Sequence, residues 1–157
     1  MSLAEDVLNA AKAKSIRIAT AESCTGGMVF AALTDIAGSS AVMERGFITY
    51  TNDAKIEMLG VSPDTLDAVG AVSEEVAAEM ANGALKHSKA DVAVSITGIA
   101  GPGGSEFKPE GRVCFGIKSK TETLTETVEF GALGRKNVRV AAQNHALSML
   151  KTALSKL

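Results

Sequence analysis

The sequence predicts an α/β protein built on a mixed β-sheet with helices on both faces. Segments with apolar residues at helical spacing alternate along the chain with short β-branched runs, an order typical of this class. The run over residues 91–97 is apolar almost throughout, which predicts a central strand covered on both faces. Two later runs, over residues 112–118 and 122–130, alternate apolar and polar residues and predict a hairpin at a partly solvated sheet edge.

The first third of the chain is predicted to contain two helices and two strands. Apolar residues at helical spacing indicate a helix over residues 3–14, and a β-branched strand follows at residues 15–19. A second helix carries apolar residues at helical spacing from Met28 and is expected to end near Gly38, because glycine suits a left-handed C-terminal cap. The second strand is expected over residues 42–50.

Helices are also predicted between the second and third strands and at the end of the chain. The first covers residues 53–59, and the next opens at Pro63, where the missing N–H of proline costs nothing. Another begins after Ser73, whose hydroxyl can cap it, and runs to about Ser88. The last helix is expected from about Arg135 onward, with these apolar residues on one side: Val140, Leu147, Leu150, Leu154 and Leu157.

Length, charge and cysteine content restrict the classes of function. The 157 residues suit a single domain over residues 1–157. A formal net charge of -2 and the lack of a Lys/Arg run predict no nucleic-acid partner, and no apolar stretch reaches the roughly 18 residues of a membrane span. The acidic N-terminus does not resemble a signal peptide, and two cysteines suit a reducing cytoplasm better than a disulfide scaffold. Cysteines and histidines lack metal-ligand spacing, so neither a metal nor a cofactor is predicted.

A turn at residues 20–27 is the first candidate for a functional site. It lies between a predicted strand and a predicted helix, where ligands bind in α/β sheets, and the free N–H groups of the helix favour an anion or a developing oxyanion. Gly26 and Gly27, predicted within the first helical turn, would each cost about 1 kcal/mol relative to alanine, which suggests close approach of a ligand. An ordinary helix cap is the alternative interpretation. The turn contains three hydroxyl or thiol side chains: Ser23, Cys24 and Thr25.

Tyr50 and Lys55 lie where the second predicted strand gives way to a helix. Lys55 falls in the first helical turn, where the helix dipole lowers the pKa of an ammonium, and burial would lower this pKa further. A neutral lysine in this position could take a proton from a serine hydroxyl. Tyr50 could orient the lysine or donate a hydrogen bond to a substrate. A solvated lysine and an ordinary rim tyrosine are the alternatives.

A glycine-rich loop follows the predicted central strand, which ends at Thr97. Successive N–H groups in such a loop can form an anion-binding concavity, although the spacing matches neither a P-loop nor a dinucleotide fingerprint. A flexible connection is the alternative. Arg135 and Arg139, one helical turn apart, could hold a phosphate or lie on a solvated face. The glycines of the loop are Gly98, Gly101, Gly103 and Gly104.

Taken together, these segments resemble the CinA C-terminal domain family, whose members include stand-alone nicotinamide mononucleotide deamidases. The motifs AESCTGG (21–27), YTNDAK (50–55), GAVS (70–73) and TGIAGPGG (97–104) carry the resemblance, which covers nearly the whole chain. It implies a three-layer α/β/α sandwich on a mixed sheet of about five strands, in agreement with the strands predicted above. It also implies a homodimer or a higher homo-oligomer.

The resemblance further implies hydrolysis of nicotinamide mononucleotide to nicotinate mononucleotide and ammonia. Ser23 is expected to attack the amide carbonyl, with Lys55 as the general base and Thr25 as an alternative nucleophile. Main-chain N–H groups near Thr25, Gly26 and Gly27 would stabilise the oxyanion.

The remaining implied roles concern substrate binding. Tyr50 would orient Lys55 or the pyridine ring, and the loop from Thr97 to Gly104, with Arg135, would hold the ribose phosphate. Two other classes of function stay open at this point. One is a metal-dependent nucleotide pyrophosphatase, which would need a carboxylate cluster that the sequence does not display. The other is a non-catalytic nucleotide-binding or competence-associated module.

Overall fold

The computed structural model describes residues 2–157. Within this range it contains six α-helices, one short 3-10 helix at Ser39–Ala41 and five β-strands. In chain order the elements are α1 (Leu3–Ala13), β1 (Ile18–Glu22), α2 (Met28–Thr34), β2 (Met43–Ile48), α3 (Asn52–Leu59), α4 (Pro63–Val69), α5 (Glu74–Lys86), β3 (Val92–Gly98), β4 (Arg112–Ser119), β5 (Thr123–Glu129) and α6 (Arg135–Ser155).

The strands form one mixed sheet in the order β2-β1-β3-β4-β5. Strand β1 runs parallel to β2 and β3, whereas the β3–β4 and β4–β5 pairs are antiparallel. The near-continuous burial of β3 confirms the predicted central strand. The predicted hairpin forms and β5 is its solvated edge, but β4 is almost wholly buried because it lies between β3 and β5, so its placement at a solvated edge was wrong. The predicted α/β class with a mixed sheet of five strands is confirmed.

Helices cover both faces of this sheet. On one face, α1, α2 and α6 pack around large strand residues such as Ile96 and Phe115. On the other face, α3, α4 and α5 bring Leu59 and Met80 against the small side chains of β1 and β3. The result is a three-layer α/β/α arrangement in which each amphipathic helix buries its apolar side on the sheet.

The parallel strands determine where a site can form. Because β1, β2 and β3 point the same way, their carboxyl ends lie at one edge of the sheet. The turn after Glu22, the segment after Ile48 and the loop after Gly98 therefore meet there.

Local capping explains why two of the helices begin where they do. The Thr51 hydroxyl accepts the N–H of Ala54 at 3.0 Å at the start of α3. The Ser73 hydroxyl accepts the N–H of Val76 at 3.2 Å at the start of α5. Each cap satisfies an N–H group that the helix itself leaves unpaired.

The first strand and the second helix differ from the prediction. Strand β1 begins three residues later than expected, at Ile18, and continues to Glu22, because pairing with two parallel neighbours overrides local propensity. Gly26 and Gly27 precede α2 instead of lying in its first turn, and both have a positive φ, 58° and 105°. Helix α2 ends at Thr34, and Gly38 instead begins the 3-10 helix.

The buried face of α6 was predicted incorrectly in part. Val140 and Leu157 are exposed by 38% and 42%, whereas Leu147, Leu150 and Leu154 are buried. The remaining contacts with the core come from Val138 and small residues, because close helix packing favours alanine at these positions. The alanines concerned are Ala142, Ala146 and Ala153.

Candidate active site

A pocket of about 300 Å³ lies at the carboxyl edge of the parallel strands. This volume is at the lower end of the range typical of small-molecule sites. Residues from the ends of β1, β2 and β3, from the glycine-rich loop and from the start of α6 contribute to its walls. The lining includes Ser23, Cys24, Tyr50, Asn52, Lys55, Thr97, Gly98, Gly101, Gly103, Ser105, Glu106 and Arg135.

Ser23 and Lys55 meet in this pocket. The Lys55 Nζ atom lies 3.1 Å from the Ser23 Oγ atom and donates a hydrogen bond to it. Both groups also donate to the main-chain carbonyl of Tyr50, Ser23 at 3.4 Å and Lys55 at 3.3 Å. The shared carbonyl fixes the hydroxyl and the amine on the same side of the pocket, so a proton can pass between them directly.

The position of Lys55 on α3 explains its burial. Residues four apart share one face of a helix, so the face that carries Leu59 into the core also carries Lys55 inward. Only 1% of Lys55 is exposed. This is rare for lysine, and Lys55 forms none of the ion pairs found within residues 2–157.

Burial lowers the pKa of the Lys55 amine from its ordinary value of 10.5. Desolvation, which penalises the charged ammonium, is the main cause. The nearby Cys24 and Glu106 side chains oppose the effect, because negative charge close to the amine favours the ammonium. The net direction leaves a larger neutral fraction of the amine than an exposed lysine would have.

The turn after β1 is held by Glu22, whose role the sequence did not reveal. This fully buried carboxylate accepts hydrogen bonds from the Thr25 hydroxyl at 2.6 Å and from three N–H groups at the start of α2, at 3.0 to 3.2 Å. The three N–H donors are those of Gly27, Val29 and Phe30. An acidic residue shortly before a helix was the available signal, because carboxylates favour helix N-termini.

This arrangement corrects two predictions about the turn. The Gly27 N–H is bound to Glu22 and the Gly26 N–H donates to the Ser23 carbonyl at 3.1 Å, so neither faces an oxyanion. The Thr25 hydroxyl is fully buried against Glu22 and does not line the pocket, because its proton satisfies the carboxylate. Ser23 is therefore better placed than Thr25 to act as a nucleophile.

The main chain of Tyr50, and not its phenol, contacts Ser23 and Lys55. Its carbonyl accepts from both Ser23 and Lys55, while its ring lines the pocket and is 59% exposed. The phenol oxygen accepts a hydrogen bond from Arg135 at 2.8 Å. Tyr50 thus contacts Lys55 through its carbonyl, while its phenol faces the pocket and Arg135.

The glycine-rich loop forms one wall of the pocket. Thr97, Gly98, Gly101 and Gly103 line it, and Gly104 does not. The Thr97 hydroxyl donates to the Ala71 carbonyl at 2.9 Å.

One expected anion donor of this loop is already engaged. The Glu110 carboxylate accepts the N–H of Gly103 at 2.7 Å and that of Gly134 at 3.0 Å. The Gly103 N–H therefore cannot serve in an anion cradle, and Glu110 instead ties the loop to the start of α6.

The two arginines of α6 have different positions. Arg135 lines the pocket and donates to the Gly101 carbonyl at 2.6 Å as well as to Tyr50. Arg139 donates to the carbonyls of Cys24 and Thr25, at 2.9 and 3.4 Å, and does not line the pocket. Arg135 is thus the arginine available to an anionic ligand, and Arg139 supports the turn beside Ser23.

Two further side chains line the pocket, and the sequence indicated only one of them, Cys24. Glu106 lines it, although nothing in the loop sequence indicated this position. Cys24 also lines it, and burial raises the pKa of its thiol to about 12, so the thiol is a poor nucleophile at neutral pH.

No group of three or more His, Cys, Asp or Glu side chains within residues 2–157 is placed to hold a metal ion. No helix in that range is long and apolar enough to cross a membrane.

The chain is similar in sequence and in fold to known proteins over most of its length. Nicotinamide-nucleotide amidohydrolase PncC of Escherichia coli K12 is 53% identical over 152 residues, which cover 96% of this chain and 92% of that protein. A putative competence-damage inducible protein of Caldicellulosiruptor saccharolyticus is 46% identical over 155 residues, 98% of this chain but 37% of that protein. The crystal structure of the competence/damage inducible protein CihA from Agrobacterium tumefaciens superposes with a TM-score of 0.93 at 49% identity, covering 98% of this chain and 93% of that one.

The likeness therefore extends from the sequence to the fold. The family profile described as CinA C-terminal domain matches residues 1–154, which include every segment that builds the pocket. This chain belongs to the CinA C-terminal domain family.

Proposed function

We propose that this chain is an amidohydrolase that converts nicotinamide mononucleotide and water to nicotinate mononucleotide and ammonia. The observation that carries the proposal is the buried Lys55 amine, 3.1 Å from the Ser23 hydroxyl in a pocket of ligand size. The similarity to a relative named nicotinamide-nucleotide amidohydrolase supports the choice of substrate. A serine activated by a neutral lysine is a known arrangement for acyl transfer.

In the first half of the reaction, Ser23 Oγ attacks the carboxamide carbon while Lys55 Nζ takes the hydroxyl proton. The Cys24 N–H is the best candidate to stabilise the oxyanion, because it belongs to the residue after the nucleophile and donates to no carbonyl or carboxylate within residues 2–157. Such a donor contributes about 3 kcal/mol in comparable enzymes. Collapse of the intermediate expels ammonia, to which Lys55 returns its proton, and leaves an ester on Ser23.

In the second half, water replaces ammonia. Lys55 takes a proton from the water as it attacks the ester, and it then returns this proton to Ser23 Oγ as the product acid leaves. Arg135 holds the phosphate of the mononucleotide, and Thr97, Gly98 and Gly101 shape the wall along which the ribose lies.

Ammonia release from nicotinamide mononucleotide, measured with a chelator present, tests the proposal. We expect turnover by the wild type and loss of at least about a thousandfold in Ser23→Ala, because no other hydroxyl contacts Lys55 within residues 2–157. Ser148→Ala, at an exposed position of α6, is the matched control and should keep full activity. Cleavage of a pyrophosphate substrate that the chelator abolishes would indicate a pyrophosphatase, and binding without turnover would indicate a non-catalytic module.

Three expectations from the sequence stay predictions alongside this proposal. These are a single domain over the whole chain, a homodimer or higher homo-oligomer, and a cytoplasmic location. Light scattering coupled to gel filtration measures the mass of the assembly, and fractionation of the source cells measures the location.

A further inference from the structure

Glu106 brings a negative charge to a pocket whose proposed substrate also carries a negative phosphate. Among residues 2–157 that line the pocket, it supplies the one carboxylate. Within residues 2–157, the Glu106 side chain forms no ion pair and no hydrogen bond. A carboxylate that the protein leaves unpaired in a ligand pocket is available to a cationic group of the ligand.

The backbone holds Glu106 in an uncommon conformation. Ser105 and Lys108 form a tight hairpin, with main-chain hydrogen bonds of 2.9 and 2.8 Å between them. The two residues at its tip, Glu106 and Phe107, both have a positive φ, 51° and 62°. Residues with a side chain adopt this region at a cost of about 1 kcal/mol each, so the surrounding structure must support the turn.

Lys108 provides that support. Its Nζ atom donates to the carbonyls of Val69 and Val72, both at 2.6 Å, and so fastens the hairpin to the segment between α4 and α5. Glycine at position 70 leaves room for the hairpin, because a Cβ atom there would lie 2.6 Å from the Glu106 Oε2 atom. The Glu106 carboxylate therefore lies beside Gly70 at the pocket rim, near the Lys108 ammonium but not hydrogen-bonded to it.

This charge works against the proposed base. A negative group near Lys55 favours the ammonium form and reduces the neutral fraction that can accept a proton. A role in binding accounts for a carboxylate at this position. The ring of an N1-glycosylated nicotinamide carries a positive charge, and its carboxamide must reach Ser23, which places the ring beside Ser23 and Lys55 in the pocket that Glu106 also lines.

We infer that Glu106 is a specificity-determining residue, which attracts the positively charged ring of the nicotinamide nucleotide and selects it over the neutral 1,4-dihydro form. The inference rests on the proposed function, because it requires the carboxamide at Ser23. While the cationic ring is bound, its charge offsets that of Glu106, so Lys55 loses the group that favours its ammonium form. Arg135 also lines the pocket, and its positive charge attracts the phosphate of both forms of the ligand.

The experiment compares the oxidised mononucleotide as substrate with its 1,4-dihydro form as competitive inhibitor. Glu106→Gln should raise KM for the oxidised form about fivefold at low salt, the size expected of one partly exposed charge pair. kcat should change less than KM. The inhibition constant of the dihydro form should stay within about twofold, because that ring carries no charge.

Two further variants keep the test specific. Glu106→Asp retains the charge and should retain most of the discrimination between the two ligands. Glu57→Gln changes one exposed carboxylate on α3 that does not line the pocket, and its constants should match those of the wild type.

An equal effect of Glu106→Gln on both ligands, or an effect on neither, would overturn the inference. Failure of the proposed function has a different signature, since the wild type would then release no ammonia. In that case calorimetric binding of the two nucleotides measures the same ratio directly, and an unchanged ratio in Glu106→Gln again overturns the inference.

Discussion

Two strand-to-helix corners beside the pocket each bury an ionisable side chain, and the two side chains differ in how many hydrogen-bond partners they have. At the β1–α2 corner, the Glu22 carboxylate accepts four hydrogen bonds, from the Thr25 hydroxyl and the start of α2. At the β2–α3 corner, the hydrogen bonds of the buried Lys55 amine within residues 2–157 go to the Ser23 hydroxyl and the Tyr50 carbonyl, and no carboxylate in that range forms an ion pair with it. Glu22 therefore has a full set of hydrogen-bond donors. Lys55 has no counter-ion and can change its protonation state more readily.

The difference separates structural from reactive burial. A buried charge with a full set of donors holds its surroundings in one conformation, because moving it would leave several polar groups unpaired. A buried amine without a counter-ion is more readily neutralised, and a neutral amine can accept a proton. We therefore expect changes at Glu22 to affect mainly stability and changes at Lys55 to affect mainly activity.

The largest expected effect is that of Lys55→Met on turnover. This variant removes the amine but keeps an unbranched apolar chain in the buried space, so kcat should fall about a thousandfold or more while the free energy of unfolding is maintained or rises. Ammonia release and urea denaturation measure the two quantities. Lys86→Met, at an exposed position at the end of α5, is the control. A Lys55→Met enzyme with near-normal kcat would remove the basis for a lysine base.

The next largest effect is that of Glu22→Ala on stability. The substitution leaves a buried hydroxyl and three N–H groups without their acceptor, so we expect a loss of about 3 kcal/mol or more in the free energy of unfolding. Glu22→Gln keeps one acceptor oxygen and should cost less, about 1–2 kcal/mol. Urea denaturation checks both. Equal stability of Glu22→Ala and the wild type would show that the first corner does not depend on its carboxylate.

Arg135→Ala should have a smaller effect, confined to phosphate recognition. We expect KM for the mononucleotide to rise about tenfold with a smaller change in kcat, because the guanidinium contacts the phosphate in both the ground state and the transition state. The riboside, which lacks the phosphate, measures the specificity of this effect and should respond less than twofold. Lys136→Ala, on the exposed side of the same helical turn, is the matched control. An equal loss for both substrates would assign Arg135 to positioning Tyr50 instead.

The smallest expected effect is a shift in the pH dependence. Only neutral Lys55 can accept the proton of Ser23, so kcat/KM should rise with pH through the lysine pKa and level off above it. Because desolvation lowers the pKa of this lysine, the rising limb should lie below 10.5. Glu106 raises the pKa of Lys55, so Glu106→Gln should move the limb to lower pH. A limb in Glu106→Gln at higher pH than in the wild type would contradict the assignment.

Much of the fold could be predicted from local patterns. The apolar run of β3 and the alternation in β5 predicted their places in the sheet, whereas β4 is an inner strand and not the solvated edge expected. Hydroxyl caps at Thr51 and Ser73 marked two helix starts. Errors arose where pairing or close packing dominates over propensity. Strand β1 is longer at its end than predicted because its neighbours on both sides extend it, and α6 turns its small residues toward the core.

The structure brings some of the predicted site residues together and separates others. Ser23, Lys55 and Arg135 line the same pocket, as their placement after parallel strands and at the start of α6 suggested. The roles of Gly27 and Gly103 could not be foreseen, because the sequence does not show which N–H groups the nearby carboxylates of Glu22 and Glu110 engage. Which donors remain free depends on side-chain packing, and short motifs do not encode it.

By itself, the sequence determined the order of the elements, the polarity of their faces and the types of reactive side chain at each strand end. These properties follow from periodicity and local propensity, which act over a few residues. Only the tertiary structure decided that the amine of Lys55 is buried beside Ser23, that Glu22 occupies the start of α2 and that Glu106 reaches the pocket. The distance between two reactive groups and the desolvation of each depend on residues that are remote in the chain. The chemical role of a side chain depends on both quantities.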